Sequence, residues 1–418
     1  MEQAPAWRPP GAALGSRLGA VLGRPWLLWA LVGVFAARAL VLLLLAPPRG
    51  DAEAFMAAGR AFLHDPAQVY QATAATLART GLLPLTGWLG PPAGALLMAP
   101  FALFPPRVAM VLWTAGDGAA ALAGLWLLQG LARPSGWRRP LFWLLAAYFP
   151  PLFADVDAGQ LGGYLLFLAA AALWTARRRP ALAGLLAGLG AGVKLYPGLM
   201  LLGAGNRLRT FGVAAVAAAA AIDALAFLRP GMPGPAWYAG HVLLPALRSP
   251  LPDCAINSVP NLYARVVGGQ AYALPAAGGM TWVRLPLHLP WLAQALTTAT
   301  VAALLATAVW AAWRSHWHPV YGPALALSLG ALIPGEVNPY MFLPLLPVVL
   351  LTVVRAAESG RVWVVVAASA ALLGFARQPC YLPFPNLWTL AGLALFAISA
   401  CQNDLFRGAR PERAVPPR

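Results

Sequence analysis

Long apolar segments alternate with short polar loops along the chain, and arginines recur in about every second loop. The pattern predicts an all-α polytopic membrane protein with about twelve spans. It places a cytoplasmic N-terminal segment at 1–25, one transmembrane domain at 26–402 and a cytoplasmic tail at 403–418. The predicted spans are 26–47, 108–131, 140–153, 161–176, two short helices within 181–205, 210–228, 288–313, 319–334, 340–354, 362–378 and 386–402.

Two longer regions, 48–107 and 229–287, interrupt this alternation, and both are predicted to lie on the extracytoplasmic face. Within the first region, 52–63 has helical spacing. The run from Pro91 to Phe104 is too short and too rich in proline for a span, so we expect a helix at the membrane interface. In the second region, 237–247 is amphipathic enough to lie on the membrane.

Composition and charge placement narrow the class of protein. Hydrophobic residues make up 60% of the chain and charged residues 10%, which excludes an ordinary soluble domain. The net charge of +16 is typical of nucleic-acid-binding proteins, but here the arginines lie mostly in short loops, where they orient a membrane protein. The abundance of Ala, Gly, Pro and Arg is typical of a GC-rich genome. We therefore expect a multi-pass protein of a bacterial inner (plasma) membrane that binds no nucleic acid.

Asp51 directly follows the first predicted span, in Arg49-Gly50-Asp51-Ala52-Glu53. A carboxylate at the mouth of a membrane helix is costly unless it meets water, a partner or a substrate. We interpret Asp51 as a catalytic base at the extracytoplasmic face.

Polar side chains from other segments are predicted to reach the same face. Their convergence predicts a lined cavity, although each residue taken alone could be a solvated loop position. The candidate substrate-binding residues are Glu53, Tyr70, Gln160, Lys194, Tyr196, Asn257, Ser258, Arg265, Glu336, Asn338 and Tyr340. Asp155 and Asp157 are predicted to lie beside them.

Lys194, the only lysine of the chain, lies between apolar neighbours. Its ammonium group either extends to the lipid headgroups or holds a phosphate near the interface. Arg38 and Asp117 are predicted at equal depth in the first two spans, which favours a structural ion pair over a proton relay. No partner for Asp223 can be predicted.

The spacing of the cysteines and histidines predicts neither a definite disulfide nor a metal site. A disulfide between Cys254 and Cys380 is compatible with their predicted location, but the sequence cannot establish the pairing. His316-Trp317-His318 is predicted to be a solvated loop rather than a metal site. We expect neither a metal nor another cofactor, and a divalent cation at Asp155 and Asp157 is the less favoured alternative.

Five short motifs resemble the GT-C membrane glycosyltransferases, and specifically glycosyltransferase family 87. They are Gly50-Asp51 with the helix that follows, the Gly90-Pro91-Pro92 helix, Gly159-Gln160, Val193-Lys194-Leu195-Tyr196-Pro197, and Asn257-Ser258 with Arg265. The sequence departs from the family pattern at Gly90, where an aromatic residue is expected, and at 335–340, where a histidine-bearing turn is expected.

The resemblance implies transfer of a sugar, expected to be mannose, from a polyprenyl-phosphate donor to a lipid-linked or cell-envelope glycan. Asp51 would act as the general base of an inverting displacement, and Lys194, with Arg265 as a second cation, would hold the phosphate. Membrane lipids are the other expected partners. A transporter or lipid flippase remains an alternative because broken helices and buried charges are also transporter features. A lipid-linked glycan polymerase or ligase would share the site chemistry.

Overall fold

The computed structural model describes residues 51–70, 90–244, 257–276, 279–335, 337–375 and 386–407, with isolated positions between 24 and 37. The predicted first span therefore lies almost wholly outside the described residues. Arg38, Glu336, Cys254 and Cys380 also lie outside them, so the predictions that rest on these residues stay predictions.

Helices dominate the described residues and confirm the predicted all-α character. In chain order they are α1 (Asp51–His64), α2 (Pro92–Ala102), α3 (Pro106–Ala132), α4 (Arg138–Ala147), α5 (Pro150–Ala158), α6 (Gly162–Thr175), α7 (Pro180–Val193), α8 (Leu208–Phe227), α9 (Pro235–Tyr238), α10 (Val259–Val266), α11 (Pro290–Arg314), α12 (Tyr321–Ser328), α13 (Leu346–Glu358), α14 (Val362–Leu373) and α15 (Leu387–Cys401). Short 3-10 segments extend or connect them at Pro66–Gln68, Tyr196–Gly203, Gly205–Arg207, Leu329–Ala331, Pro339–Leu345 and Asn403–Phe406, and a π-helical turn spans Ala239–Leu243.

One antiparallel hairpin departs from the all-α prediction. Strand β1 (Tyr272–Ala276) pairs with β2 (Gly279–Val283), and Tyr272 lies opposite Val283. The hairpin falls in the second of the two long regions that the sequence places outside the membrane. Aromatic and β-branched residues such as Tyr272, Thr281 and Val283 favour strands there, but the segment is too short to give a clear period-two pattern.

Four helical segments among the described residues are long and apolar enough to cross a membrane, and five if α4 and α5, bent by 42°, form one span. They are Pro106–Ala132, Gly205–Phe227, Pro290–Arg314 and Pro339–Glu358. The twelve expected spans are therefore not confirmed. Several predicted spans are instead shorter apolar helices, such as Gly162–Thr175 and Pro180–Val193. The predicted break at Tyr196-Pro197 is present, because α7 stops at Val193 and a 3-10 segment begins at Tyr196.

Close backbone packing joins α7 to α8. A Cβ added at Gly184 would lie 2.1 Å from the Phe211 carbonyl oxygen, and one at Gly188 would lie 2.1 Å from that of Ala215. Glycines four residues apart on one helix face allow such an approach between apolar helices. This contact fixes the position of α7. The position of α7 in turn sets the position of Lys194, which directly follows its last residue.

Helix α1 is held at both its end and its side. It packs on α2, and the Arg229 guanidinium that follows α8 donates hydrogen bonds to the carbonyls of Phe62 and Leu63 in the last turn of α1. A cation at a helix C-terminus satisfies carbonyls that have no partner within the helix. Asp223, for which the sequence offered no partner, lies against the Ala93 amide in the first turn of α2.

The described helices have two distinct ends. The carboxylate end is defined by Asp51, Asp155 and Lys194, and the arginine end by Arg177, Arg207, Arg314 and Arg355. Helices α6 and α7 run in opposite directions between these ends, since Arg177 follows α6 and Lys194 follows α7. At 1.5 Å per residue, each of these helices separates the ends by about 20 Å.

Candidate active site

The side chain of Asp51, the first residue of α1, meets the turn between α5 and α6. The Gln160 amide Nε2 donates a hydrogen bond of 2.5 Å to Asp51 Oδ2. Gln160 is buried, whereas Asp51 is half-buried and so keeps access to the surroundings. Two candidates that are 109 residues apart in the sequence are therefore in direct contact.

The backbone around Gln160 is fixed by several hydrogen bonds. Gly159 has φ +63°, a left-handed conformation that favours glycine, and it ends α5. The Trp113 indole nitrogen donates to the carbonyls of Gly159 at 2.9 Å and Gln160 at 3.1 Å. The Gln160 backbone N–H donates to the Asp155 backbone carbonyl at 2.9 Å. This turn therefore presents the Gln160 side chain to Asp51 from a rigid support.

Two buried carboxyl groups occupy the N-terminus of α6. Asp155 accepts hydrogen bonds from the amides of Gly162 (3.0 Å) and Gly163 (3.2 Å). Asp117, on α3, accepts one from the Tyr164 amide at 3.1 Å. The first amides of a helix have no partner within it and carry partial positive charge, so they compensate the burial of these acids.

Glycine at 162 and 163 makes this approach sterically possible. A Cβ at Gly162 would lie 2.2 Å from Asp155 Oδ1, and a Cβ at Gly163 would lie 2.2 Å from the Asp117 carbonyl oxygen. Either contact would force the acids away from the helix. Asp117 therefore has a backbone partner in α6. Arg38 lies outside the described residues, so its ion pair with Asp117 stays a prediction.

Lys194 brings a cation to the same end. Its Nζ lies 5.3 Å from the centroid of the Tyr340 ring, within cation–π range. Its charge also acts on the Asp155 carboxyl group. Lys194 therefore faces protein on at least two sides, namely the 3-10 segment Pro339–Leu345 and the end of α5.

Tyr70 belongs to an aromatic wall beyond α1. Its ring lies 5.8 Å from that of Tyr238 and 5.7 Å from that of Trp237. Burial, with smaller effects from neighbouring ionisable groups, raises the pKa of both tyrosines, so their phenols stay protonated at neutral pH. Tyr70 and Tyr238 lie in the same buried cluster as Ala52 and Phe55 of α1.

Asn257 and Ser258 attach the start of α10 to the segment around Gly335 and Val337. The Asn257 amide donates to the Val337 carbonyl at 2.7 Å, and Ser258 Oγ caps α10 by accepting from the Asn261 amide at 3.2 Å. Asn261 Nδ2 donates to the Gly335 carbonyl at 2.5 Å. These contacts fix the segment that leads into Asn338 and Tyr340.

The other candidates occupy varied surroundings. Arg265 is fully buried, lies 5.3 Å from the Tyr272 ring centroid and donates to Asn386 Oδ1 at 3.2 Å. Tyr196 packs over Gly330, and Glu53 is half-buried on α1. The shared role of Arg265 and Lys194 in holding a phosphate stays a prediction.

Sequence reasoning missed Trp113 and the two glycines at 162 and 163. Trp113 is an apolar residue within a predicted span, and hydropathy does not reveal that its N–H reaches a turn 46 residues away. The pair Gly162-Gly163 directly after Gln160 was the available signal, because paired glycines at a helix start indicate close approach of another group.

The prediction for His318 was wrong, since this residue is buried at the arginine end rather than solvated. Its Nδ1 faces the Tyr321 amide at 3.1 Å, and its Nε2 faces Arg177 Nη2 at 3.0 Å. Burial, with Arg177, Arg355 and Arg207 nearby, lowers the pKa of His318 to about 3. The imidazole is therefore neutral at physiological pH.

Among the described residues, no three His, Cys, Asp or Glu side chains are placed to hold a metal ion. The apolar helices are those of a membrane protein, and Asp51, Gln160 and Lys194 lie at one end of them. The model of glycosyltransferase family 87 matches residues 88–337, which is 250 of 418 residues, and the chain belongs to that family. The match is consistent with the GT-C superfamily. No curated protein matches the chain.

Proposed function

We propose that the protein transfers a hexose, expected to be mannose, from a polyprenyl-phosphate donor to a lipid-linked or cell-envelope glycan. Family membership supports the transfer of a sugar between a donor and an acceptor. The hydrogen bond from Gln160 to Asp51 is the observation that carries the rest of the proposal.

Asp51 acts as the general base in this proposal. The Gln160 amide engages Oδ2 and restricts rotation of the carboxylate, so Oδ1 is the oxygen that accepts the proton of the acceptor hydroxyl. The hydroxyl oxygen attacks the anomeric carbon, the bond from that carbon to the phosphate oxygen breaks, and the configuration inverts. The phosphate leaves with the electron pair of that bond.

Lys194 neutralises the leaving phosphate. A phosphate is a weak base, so it needs charge stabilisation rather than a proton from a general acid. The Lys194 ammonium is a point charge suited to phosphate, and its neighbours Tyr340 and Asp155 restrict its position.

Among the described residues, Asp51 is a carboxylate that is held by a side-chain amide and keeps access to the surroundings, and this arrangement favours transfer over glycoside hydrolysis. Glycosidases place two carboxyl groups on opposite sides of the scissile bond. Here Asp117 and Asp155 are both buried and held by the amides of α6. Glu53 follows Asp51 by two residues on α1, a spacing that directs the two side chains to different helix faces.

The distribution of arginines supports an extracytoplasmic location for the site. Basic loops of polytopic proteins remain on the cytoplasmic side. Arg177, Arg207, Arg314 and Arg355 all lie at the end of the helices opposite Asp51 and Lys194.

The test measures transfer by the purified full chain with polyprenyl-phosphate-mannose and a membrane extract as the acceptor source. Asp51→Asn is expected to lower kcat by roughly a hundredfold to ten-thousandfold, the usual contribution of a general base. Asp65→Asn is the matched control, because Asp65 is an exposed carboxylate directly after the same helix. Unchanged turnover in Asp51→Asn would remove the base from the proposal, and transfer from other prenyl-phosphate sugars alone would remove mannose.

A further inference from the structure

An open, aromatic groove lies on the outer side of α11 near the arginine end. It has a volume of about 650 Å³. The groove is lined by Leu305, Ala306, Val309, Trp310, Trp313 and Trp317. The Trp310 and Trp313 side chains are 47% and 58% exposed, so the groove is open to the surroundings of the protein.

The backbone holds one wall of the groove in place. His316 and Trp317 are consecutive residues with φ of +54° and +52°, a conformation that costs energy for side chains of this size. The Trp317 amide donates to the Ala312 carbonyl at 2.8 Å, and its indole lies directly over Gly205. The turn therefore directs Trp317 across the end of α11.

The mouth of the groove is strongly positive. The Arg314 guanidinium carbon lies 6.0 Å from the Trp310 ring centroid, and Arg407 Nε donates to the Arg314 carbonyl at 2.8 Å. Arg207 ends the 3-10 segment that begins at Gly205, beneath Trp317. An apolar groove with arginines at one end complements a molecule with a hydrocarbon chain and an anionic headgroup.

We propose that this groove binds an anionic phospholipid of the bilayer, with an acyl chain along Trp310 and Trp313 and its phosphate at Arg314. Tryptophans of this kind lie at the level of the headgroups, where an acyl chain and a phosphate meet. The polyprenyl-phosphate donor is a different lipid phosphate, and its proposed cation, Lys194, lies at the other end of α7, a helix about 20 Å long.

The test uses native mass spectrometry of the full chain in mild detergent, titrated with phosphatidylglycerol or with phosphatidylcholine of the same acyl chains. Phosphatidylglycerol is expected to bind more tightly. Arg314→Gln should weaken phosphatidylglycerol alone, by about fivefold, the usual effect of one basic residue at an anionic lipid surface. Trp313→Ala should weaken both lipids, because it removes contact with the acyl chain.

Two control variants separate this site from general lipid coverage. Arg139→Gln removes an exposed arginine from the first turn of α4, and Trp291→Ala removes an exposed tryptophan from the opposite end of α11. Neither should change binding of phosphatidylglycerol. Equal binding of the two lipids, equal losses in the control variants, or displacement of phosphatidylglycerol by a prenyl phosphate would each overturn the proposal.

Discussion

Charged side chains at the two ends of the helices differ in their burial and in their partners. At the carboxylate end, Asp117 and Asp155 are each 1% exposed and are held by successive backbone amides of α6. At the arginine end, the ion pair between Arg361 and Asp404 has side chains that are 34% and 42% exposed. Burial with fixed partners positions a charge, whereas exposure allows solvent and salt to screen it.

The difference indicates where chemistry can be supported. Preorganised polar groups in a site of low dielectric stabilise charge that develops during a reaction without having to reorganise. At the carboxylate end such groups are Asp117, Asp155 and the first amides of α6, and they support the turn that carries Gln160. The exposed arginines are suited instead to membrane orientation and to binding lipid headgroups.

Replacement of Asp155 is expected to have the largest effect on stability. An asparagine at this position has a single acceptor oxygen, so its NH₂ group would face the amide of Gly162 or Gly163. Leaving a buried donor unpaired and removing the charge near Lys194 should cost about 3 kcal/mol. The measurement is the temperature at which the detergent-solubilised protein aggregates, followed by size exclusion.

Asp157→Asn serves as the control for this experiment. Asp157 is on the same helix, two residues away, and is exposed. Its replacement should leave the aggregation temperature almost unchanged. Equal stability of the Asp155 and Asp157 variants would show that burial does not distinguish the two carboxylates, and the contrast between the two ends would fail.

Trp113→Phe is expected to have a smaller and more specific effect. The change keeps most of the aromatic volume but removes the N–H that holds the carbonyls of Gly159 and Gln160. Gln160 would then be positioned less firmly, which should raise the activation free energy by about 1.4 kcal/mol and lower kcat about tenfold. The matched control is Trp126→Phe on the same helix, because the Trp126 side chain is 64% exposed.

Kinetic parameters distinguish positioning from general damage. A positioning role for Trp113 predicts a fall in kcat with little change in KM for the donor, and it predicts that Asp51→Asn and Trp113→Phe are not additive. Additive losses, or a rise in KM alone, would contradict a route from Trp113 through Gln160 to Asp51.

Much of this arrangement could be predicted from local sequence. The helix that starts at Asp51, the break at Tyr196-Pro197 and the helix after Pro91 follow from proline, glycine and apolar spacing. These signals act between neighbouring residues, so hydropathy and turn chemistry can detect them.

The contacts that build the site could not be predicted in the same way. Asp117 and Asp155 reach α6 from different helices, and their partners are backbone amides, which carry no sequence signature. His318 had the sequence context of a loop beside arginines, yet tertiary packing buries it. Hydropathy reports the preference of a residue for water and does not report which neighbour satisfies its polar atoms.

The ion pair between Arg361 and Asp404 should show the smallest effect. The Arg361 guanidinium holds the pKa of Asp404 below its usual range, so the pair contributes stability above the unfolded pKa and loses it as pH falls through the folded value. Because both side chains are over a third exposed, solvent screening limits this contribution to less than about 1 kcal/mol. Asp404→Asn should therefore shift the aggregation temperature less than Asp155→Asn does, and salt should abolish the shift. A salt-resistant shift as large as that of Asp155→Asn would mean that exposure does not set the strength of charge pairing in this protein.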